Sequence, residues 1–285
     1  MNAMDNSVGR LRAETGAPDP VTWIEADGVR LAVMRRGRGV PVVCLHAIGH
    51  GARDFEDLAN RVGDMCEIIA IDWPGQGRSP PMKDAPSAKR YAEIALAALD
   101  ALGLDRVVLL GNSIGGAAAL QIAAHAPDRV RALVLCNSGG LSAINGFAKF
   151  VIARMVSFFR AGENGRKWYA GAFRFYYGRM VLPYGGAQRD RIIAAGYEIA
   201  PVLRAAWENF ALPEADTRAL AAQIKCPVFV AWAKSDQILA WSRCKDAVAQ
   251  IPNHRVEMFR GGHSAFLENA ERFAASFRTF LRGLA

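Results

Sequence analysis

Two kinds of hydrophobic pattern alternate along residues 40–137. Short runs rich in Val, Ile and Leu predict buried strands, and stretches with apolar residues three or four positions apart predict helices. Strands that alternate with helices favour an α/β fold, in which helices cover both faces of a parallel sheet. The predicted strands are residues 40–45, 67–72, 106–110 and 132–137, and the predicted helices are residues 53–62, 91–102 and 113–125.

The same alternation continues on both sides of this region. Residues 21–36 alternate around Asp27-Gly28, a dipeptide that predicts a β-hairpin. Residues 1–20 are polar and lack such a pattern, so we interpret them as a flexible leader. Towards the end of the chain the predicted strands are residues 227–232 and 255–259, and the predicted helices are residues 241–251 and 266–284.

Residues 139–222 interrupt the alternation. They contain no apolar run that predicts a buried strand, and they are rich in helix formers and aromatic residues. A structureless loop of that length is uncommon in a compact domain. We therefore expect a mainly helical cap over one end of the sheet, inserted between two parts of one α/β core, residues 21–138 and 223–285.

Composition narrows the classes of partner. The 285 residues are 52% hydrophobic, which is enough for one large core. The net charge of +8 arises from 35 Lys and Arg residues interleaved with 27 Asp and Glu residues, so no nucleic-acid partner is expected. We expect a small-molecule substrate instead. The oligomeric state stays open between monomer and dimer.

Cysteine spacing and hydropathy bear on cofactors and location. The five cysteines form no Cys-x-x-Cys pair and no metal-ligand spacing, so neither a metal nor another cofactor is expected. Cys44 and Cys136 fall inside predicted strands, which is typical of small buried residues in a reducing compartment. No window approaches 18 uninterrupted apolar residues, and residues 1–20 hold no signal-like apolar stretch. These features predict a cytoplasmic protein without a membrane partner.

The strongest chemical signal lies where predicted strand 106–110 meets predicted helix 113–125. The intervening Gly111-Asn112-Ser113-Ile114-Gly115 has the Gly-x-Ser-x-Gly spacing of a nucleophile elbow. The glycines allow a tight turn and close substrate approach, and the helix N-terminus offers N–H groups to a developing oxyanion. A serine that merely caps the helix is the alternative interpretation.

A serine nucleophile needs a base and a carboxylate that orients the base. Loops that follow parallel strands converge on one edge of a sheet, and Asp236 and His263 each follow a predicted strand. The order Ser, Asp, His along the chain suits the nucleophile-elbow architecture. Asp236 could instead belong to a turn. The other expected position for the acid, Asn137-Ser138, holds no carboxylate.

Together these motifs resemble the capped members of the α/β-hydrolase fold superfamily, from about residue 21 to residue 284. The resemblance implies a mostly parallel eight-stranded sheet with helices on both faces and a mainly helical cap. It also implies Ser113 as nucleophile, His263 as general base and then acid, and Asp236 as the carboxylate that orients His263. Other matching stretches are His46-Ala47-Ile48-Gly49, Asp72 to Ser79, Trp232 to Asp236, and Gly262-His263 ahead of Phe266-Leu267-Glu268.

The resemblance further implies an oxyanion hole formed by the backbone N–H groups of Ile48 and Ile114. Relatives usually have glycine where this chain has Ala47, and a positive φ there would strain alanine by about 1 kcal/mol. We expect His46 to be a structural hydrogen-bonding residue. A single cap aromatic serves packing more often than substrate contact, but together the cap aromatics indicate an apolar pocket roof. The residues expected near the substrate are His50, Trp168, Phe173, Trp207 and Ile238.

The expected activity is that of a carboxylesterase-like serine hydrolase, which cleaves a small or medium carboxylic ester or lactone through an acyl-enzyme. A carbon–carbon bond hydrolase of a ring-cleavage diketone uses the same triad and stays open. Its glycine-rich loop is replaced here by His46 to Gly51, which favours esters. Ser113 argues against haloalkane dehalogenases, which use an aspartate nucleophile. Perhydrolase activity and a non-catalytic small-molecule receptor are further alternatives on this fold.

Overall fold

One sheet forms the centre of the fold. The computed structural model describes residues 21–284, and its strands are β1 (Thr22–Ala26), β2 (Val29–Gly37), β3 (Val40–Leu45), β4 (Cys66–Ile71), β5 (Val107–Ser113), β6 (Val130–Ser138), β7 (Val228–Ala233) and β8 (His254–Phe259). They lie in the order β1-β2-β4-β3-β5-β6-β7-β8. β2 runs antiparallel to β1 and β4, and the other neighbours are parallel. The predicted α/β fold with a mostly parallel eight-stranded sheet is therefore confirmed.

Helices cover both faces of this sheet and fill the segment between β6 and β7. Within residues 21–284, no helix is both long enough and apolar enough to cross a bilayer. The predicted leader, residues 1–20, lies outside the described residues. The α-helices are α1 (Glu56–Val62), α2 (Ala88–Ala101), α3 (Ile114–His125), α4 (Gly146–Glu163), α5 (Tyr169–Tyr176), α6 (Gly186–Ala194), α7 (Ala200–Asn209), α8 (Trp241–Val248), α9 (Ala265–Glu268) and α10 (Ala270–Arg282). Short 3₁₀ turns occupy Ala52–Phe55, Pro127–Arg129, Pro213–Ala215 and Arg218–Gln223, and a π-helical turn occupies Tyr177–Val181.

A hairpin forms the antiparallel edge of the sheet. Asp27 and Gly28 both have positive φ, 50° and 75°, and join β1 to β2. Two residues with positive φ form the turn that suits the right-handed twist of the two strands. The local sequence signal was thus sufficient to place this turn.

Side chains of the parallel strands alternate between two apolar layers. On β3, Val43 and Leu45 pack in one layer with α2 and α3, whereas Val42 and Cys44 pack in the other with α1 and α10. Strands covered on both faces are apolar at nearly every position, which explains the continuous runs in the sequence. All five cysteines are buried and unpaired.

The chain between β6 and β7 is helical, and its two ends meet at the sheet. The Thr217 N–H donates to the Gly140 carbonyl oxygen at 2.9 Å. In this insertion α4 packs along α7, and the rings of Phe158 and Tyr169 join α4 to α5. The expected mainly helical insertion is present, and its described residues include no strand.

Several helices differ from their predicted bounds. Helices α1 and α8 are each three residues shorter than predicted, and two further differences have a local cause. The predicted helix 266–284 is two helices, because Asn269 has a non-helical φ of −139° and ψ of 51° between α9 and α10. Glu268 next to this break turns its carboxylate towards backbone N–H groups of the preceding loop. The predicted helix 91–102 begins earlier, at Ala88, because the Ser87 hydroxyl accepts the Arg90 N–H at 3.1 Å as an N-cap.

The junction between β5 and α3 is closely packed. Ser113 has a φ of 55° and a ψ of −120°, a conformation that costs a non-glycine residue about 1–3 kcal/mol. A Cβ at Gly111 would collide with the Gly115 backbone, and a Cβ at Gly115 would collide with the carbonyl oxygen of Leu45. The two glycines thus let α3 begin directly against the carboxyl ends of β5 and β3.

We expect Gly115→Ala to lower the free energy of unfolding by about 2–3 kcal/mol, because its methyl group overlaps the backbone of a central strand. The matched control is Gly171→Ala on α5, where an added Cβ meets nothing within 4 Å. We expect that control to be more stable by about 0.5–1 kcal/mol. Urea unfolding followed by circular dichroism measures both variants. An unchanged stability of Gly115→Ala would contradict this close packing.

Candidate active site

Ser113 stands at the carboxyl edge of the sheet, where β5 ends and α3 begins. It is one of three non-glycine residues with positive φ among residues 21–284. Its side chain makes no capping hydrogen bond to α3, so an inert helix cap does not account for this serine. Ser113 is partly exposed while Asn112 and Ile114 on either side are buried. The strained turn therefore presents the serine rather than its neighbours.

Asp236 and His263, which follow β7 and β8, form a buried pair. His263 Nδ1 lies 2.9 Å from Asp236 Oδ2, and the two side chains are 6% and 0% exposed. Asp236 Oδ1 accepts the N–H groups of Ile238 and Leu239, both at 2.8 Å. Asp236 thus both organises its own turn and orients the imidazole, so the two sequence interpretations of this residue are compatible.

The surroundings of His263 favour its protonated form. Burial by itself lowers the pKa of His263, because it disfavours the imidazolium charge. The charge of Asp236, its hydrogen bond and the charge of Glu268 act in the opposite direction, and the pKa is raised above 6.5. An imidazole stabilised in this way can take up a proton from a nearby hydroxyl.

Asn137 at the end of β6 is part of this site, and sequence reasoning missed it. Its Nδ2 donates to Asp236 Oδ2 at 2.7 Å, and its Oδ1 accepts the Ala233 N–H at 2.9 Å. Asn137 has a φ of 43°, a region that asparagine tolerates better than most residues. The available signal was its position, at the end of a predicted strand that holds no carboxylate.

The loop that carries His263 is anchored from two sides. Glu268 accepts the N–H groups of Gly262 at 2.7 Å and His263 at 3.0 Å with one oxygen, and that of Tyr184 at 3.2 Å with the other. Burial raises the pKa of Glu268, and these backbone hydrogen bonds oppose that effect. Asn112 Nδ2 donates to the His263 carbonyl oxygen at 3.0 Å. The residue before Ser113 is therefore bonded directly to the histidine.

The loop after β3, residues 46–51, is held by buried side chains. The Trp73 N–H donates to His46 Nε2 at 3.0 Å, and His46 Nδ1 donates to the Ala47 carbonyl oxygen at 2.7 Å. Burial lowers the pKa of His46 to about 4, so the ring is neutral at pH 7. Gln76 Oε1 accepts the Gly49 N–H at 2.6 Å. His46 is thus a structural hydrogen-bonding residue, as predicted.

Ala47 is free of the strain considered from the sequence. It does not have a positive φ, and the left-handed position in this loop is Gly49, with a φ of 77°. Ile48 lies in the loop, and Ile114 is the first residue of α3, where the backbone N–H lacks an acceptor in a preceding helical turn. The contact of Gly115 with Leu45 brings the two segments together.

A buried polar network links this loop to the cap. His50 Nδ1 hydrogen-bonds to Asp54, and both side chains are almost fully buried. Arg191 on α6 donates to the other carboxylate oxygen of Asp54 at 2.8 Å. Burial opposes ionisation of Asp54, but His50 and Arg191 outweigh it and hold its pKa below the ordinary value. The Tyr177 ring lies 6.0 Å from the His50 ring, so His50 lies where the cap meets the core.

The other residues expected near the substrate differ in how far their side chains are buried. Ile238 donates its N–H to Asp236 and is half-buried. Phe173 is buried within the cap against Tyr177, and Trp207 is buried against Phe159. Trp168 is 58% exposed and contacts Phe158 and Tyr169. The helix turn before α5 points the Trp168 ring to solvent, and its expected contact with the substrate stays a prediction.

A cleft of about 350 Å³ on the cap lies away from these residues. It opens between α5 and α6, and neither Ser113 nor His263 lines it. Its lining residues are Gly171, Arg174, Phe175, Gly178, Arg179, Arg189, Asp190 and Ile193. This cleft is therefore separate from the candidate site formed by Ser113 and His263.

Comparison with known proteins identifies the family of this chain. The profile of the alpha/beta hydrolase fold family matches residues 40–270. The chain belongs to that family. The match includes the serine turn, the Asp236 turn and the His263 loop. The family and the relatives described next show that the protein is a hydrolase, and they do not identify its substrate.

Three relatives illustrate the range of activities in this alpha/beta hydrolase family. A 2-hydroxymuconate semialdehyde hydrolase of Pseudomonas putida is 29% identical over 95% of this chain and 97% of its own length. A pimeloyl-[acyl-carrier protein] methyl ester esterase of Neisseria meningitidis is 31% identical over 85% of this chain and 94% of its own length. The structure of Est816, described as an N-acyl homoserine lactone degrading enzyme, has a TM-score of 0.71 at 25% identity and covers 91% of this chain and 100% of its own. Two further relatives, 33% and 30% identical, are matched over only 42% and 12% of their lengths.

We expect Asn137→Gly to lower kcat about tenfold or more with little change in KM. The change keeps the left-handed backbone but removes a hydrogen bond to the Asp236 carboxylate, and a bond to a charged group contributes about 1.5–3 kcal/mol. Steady-state kinetics on an ester that the protein hydrolyses measure the effect. Asn164→Ala, at the exposed end of α4, is the matched control. A KM effect without a kcat effect would show that Asn137 does not position the acid.

Proposed function

We propose that this hydrolase cleaves a small or medium carboxylic ester or lactone with Ser113 as nucleophile. In this proposal His263 is the general base and then the general acid, and Asp236 orients it. The observation that carries the proposal is the strained turn at Ser113. Asn112, the residue before Ser113, hydrogen-bonds to the backbone of His263, and His263 is paired with Asp236. The whole-length similarity to a methyl ester esterase supports ester chemistry.

The reaction follows from these roles. As Ser113 Oγ attacks the carbonyl carbon, His263 Nε2 takes the hydroxyl proton and the carbonyl oxygen becomes an oxyanion. The backbone N–H groups of Ile48 and Ile114 stabilise that charge. The intermediate expels the alcohol oxygen, which takes the proton from His263. Water then attacks the acyl-enzyme by the same steps and releases the carboxylic acid.

The cap contributes the apolar side of the proposed site. Phe173 and Tyr177 pack within the cap, and Tyr177 lies beside His50 at the loop after β3. An apolar roof with few polar groups suits the acyl or alcohol part of a small ester. The proposal includes a small-molecule substrate, no metal or other cofactor, and a cytoplasmic location.

A carbon–carbon bond hydrolase is the second candidate. The observation in its favour is the match to a 2-hydroxymuconate semialdehyde hydrolase over 97% of that protein's length. Both candidates need Ser113 and His263, so the triad does not separate them. A panel of nitrophenyl esters of increasing acyl length, a lactone and a ring-fission diketone separates them. We expect turnover of short esters, and turnover of the diketone alone would replace the ester proposal.

We expect Ser113→Ala to lower kcat by about 10⁴-fold or more, because the acyl-enzyme cannot form. A fluorophosphonate probe should label the unmodified protein and leave this variant unlabelled. Ser138→Ala, a buried serine at the end of β6, is the matched control and should keep the label. Full activity of Ser113→Ala on a substrate turned over by the unmodified protein would rule out this nucleophile.

We expect kcat/KM to fall as the pH drops through an apparent pKa above 6.5, because protonated His263 cannot accept the serine proton. Glu268→Gln removes a charge that raises this pKa, so the acid limb should move to lower pH. Glu271→Gln on the exposed start of α10 should leave the limb in place. The measurement is the pH profile of kcat/KM, and an acid limb shared by all three proteins would contradict the role of Glu268.

A further inference from the structure

Helix α4 has apolar residues on two sides. One side packs on α7, and Phe159 is buried there against Trp207. On the other side Phe147, Phe150 and Val151 are three and four positions apart, so they share an arc of about 100°. Their side chains are 65%, 63% and 37% exposed. Soluble proteins rarely expose adjoining large apolar side chains without a partner.

Trp168 extends this exposed stripe past the end of α4. Its ring is 58% exposed and lies 6.2 Å from the ring of Phe158. Phe158 is 11 residues after Phe147, about three helical turns, and therefore lies on the same side of α4. Exposed apolar side chains thus lie at the start of α4 and on the turn that leads to α5, and the half-buried Phe158 lies between them on the same side.

Positive charge is concentrated in the chain segment that carries these side chains. Residues 146–180 contain seven Lys and Arg residues and one acidic residue, Glu163, so this segment carries +6 of the net charge of +8. The interleaving expected from the whole-chain composition therefore fails here. Glu163 itself is paired with Arg204. Arg154, seven residues after Phe147, is exposed within the same arc of α4, and Lys167 is exposed next to Trp168 in the chain.

We propose that this surface binds the face of an anionic lipid bilayer. It consists of Phe147, Phe150, Val151, Arg154, Lys167 and Trp168, and we call it the α4 surface. Phe and Trp side chains partition into the boundary between head groups and acyl chains, and Lys and Arg are attracted to anionic head groups. α4 then lies in the plane of the membrane with its stripe towards the lipid. This inference goes beyond the proposed function and does not require Ser113.

The positive charge and the exposed apolar side chains together favour a bilayer over a protein as the partner of the α4 surface. A second copy packed symmetrically on the α4 surface would bring two segments of +6 together, which is unfavourable. An acidic protein satisfies the charge but needs an apolar groove matched to four separate side chains. A bilayer accepts each of them without such a groove. The expectation of no membrane partner rested on the run length of spanning helices, which interfacial helices need not reach.

Co-sedimentation of the full chain with vesicles tests this proposal. We expect binding to phosphatidylcholine vesicles that contain phosphatidylglycerol, weaker binding to phosphatidylcholine alone, and loss of binding with added salt. Phe147→Ser combined with Phe150→Ser should lower the partition coefficient at least about tenfold. Arg154→Ala and Lys167→Ala should each lower it about fivefold.

Matched controls lie on other parts of the surface. Trp23→Ala removes a 43% exposed aromatic ring from β1, and Lys83→Ala combined with Lys89→Ala removes two exposed charges. Both controls should bind as the unmodified protein does. Ser113→Ala should also bind unchanged, so failure of the proposed chemistry and failure of this inference are distinguishable. Circular dichroism checks that every variant is folded.

Three outcomes would overturn the proposal. The first is equal or absent binding to the two kinds of vesicle. The second is binding to soluble polyglutamate that is as strong as binding to vesicles and is unchanged in the Phe147→Ser, Phe150→Ser variant. That result would assign the surface to an acidic protein. The third is a dimer in light scattering that Phe147→Ser and Phe150→Ser dissociate, which would assign the surface to a second copy of the chain.

Discussion

The close approach of α3 to the ends of β3 and β5 is the constraint on which the candidate site depends. No side chain fits at Gly111 or Gly115, so the helix begins immediately after the strand, and Ser113 between them takes a left-handed conformation. This conformation costs about 1–3 kcal/mol, and the apolar packing of the sheet and of the helices on either side offsets that free energy. The same geometry leaves the serine side chain partly exposed at an edge where other strands also end.

Buried hydrogen bonds then determine how the surrounding groups are oriented. Asp236 accepts four of them, from His263, Asn137 and two backbone N–H groups. Glu268 holds the histidine loop, and Asn112 joins that loop to the serine turn. A buried donor or acceptor without a hydrogen-bond partner lowers the stability of the fold by about 1–3 kcal/mol. Each of these side chains is therefore held in the orientation that keeps its hydrogen bonds. The raised pKa of His263 is a consequence of that arrangement rather than of the histidine alone.

Local patterns were sufficient for most of the fold. The continuous apolar runs correspond to strands covered on both faces, and Asp27-Gly28 marks the hairpin. The Gly-x-Ser-x-Gly spacing located the β5–α3 turn. The close contact that requires Gly111 lies within this turn, whereas the one that requires Gly115 comes from Leu45 on β3. The residues Asp236 and His263 were found from their positions after strands, and the structure pairs them. Their catalytic roles, with that of Ser113, stay predictions.

Contacts between distant segments could not be read from the sequence. Asn137 meets Asp236 across 99 residues, and Arg191 meets Asp54 across 137 residues. The break at Asn269 and the outward ring of Trp168 likewise depend on neighbours that periodicity does not specify. The sequence by itself determined the layered α/β fold, the serine turn and the order of the three candidate catalytic residues, because these follow from local sterics and hydrophobic period. Only the tertiary structure decided which polar groups hold them and which aromatic residues face solvent, because those depend on packing between separate elements.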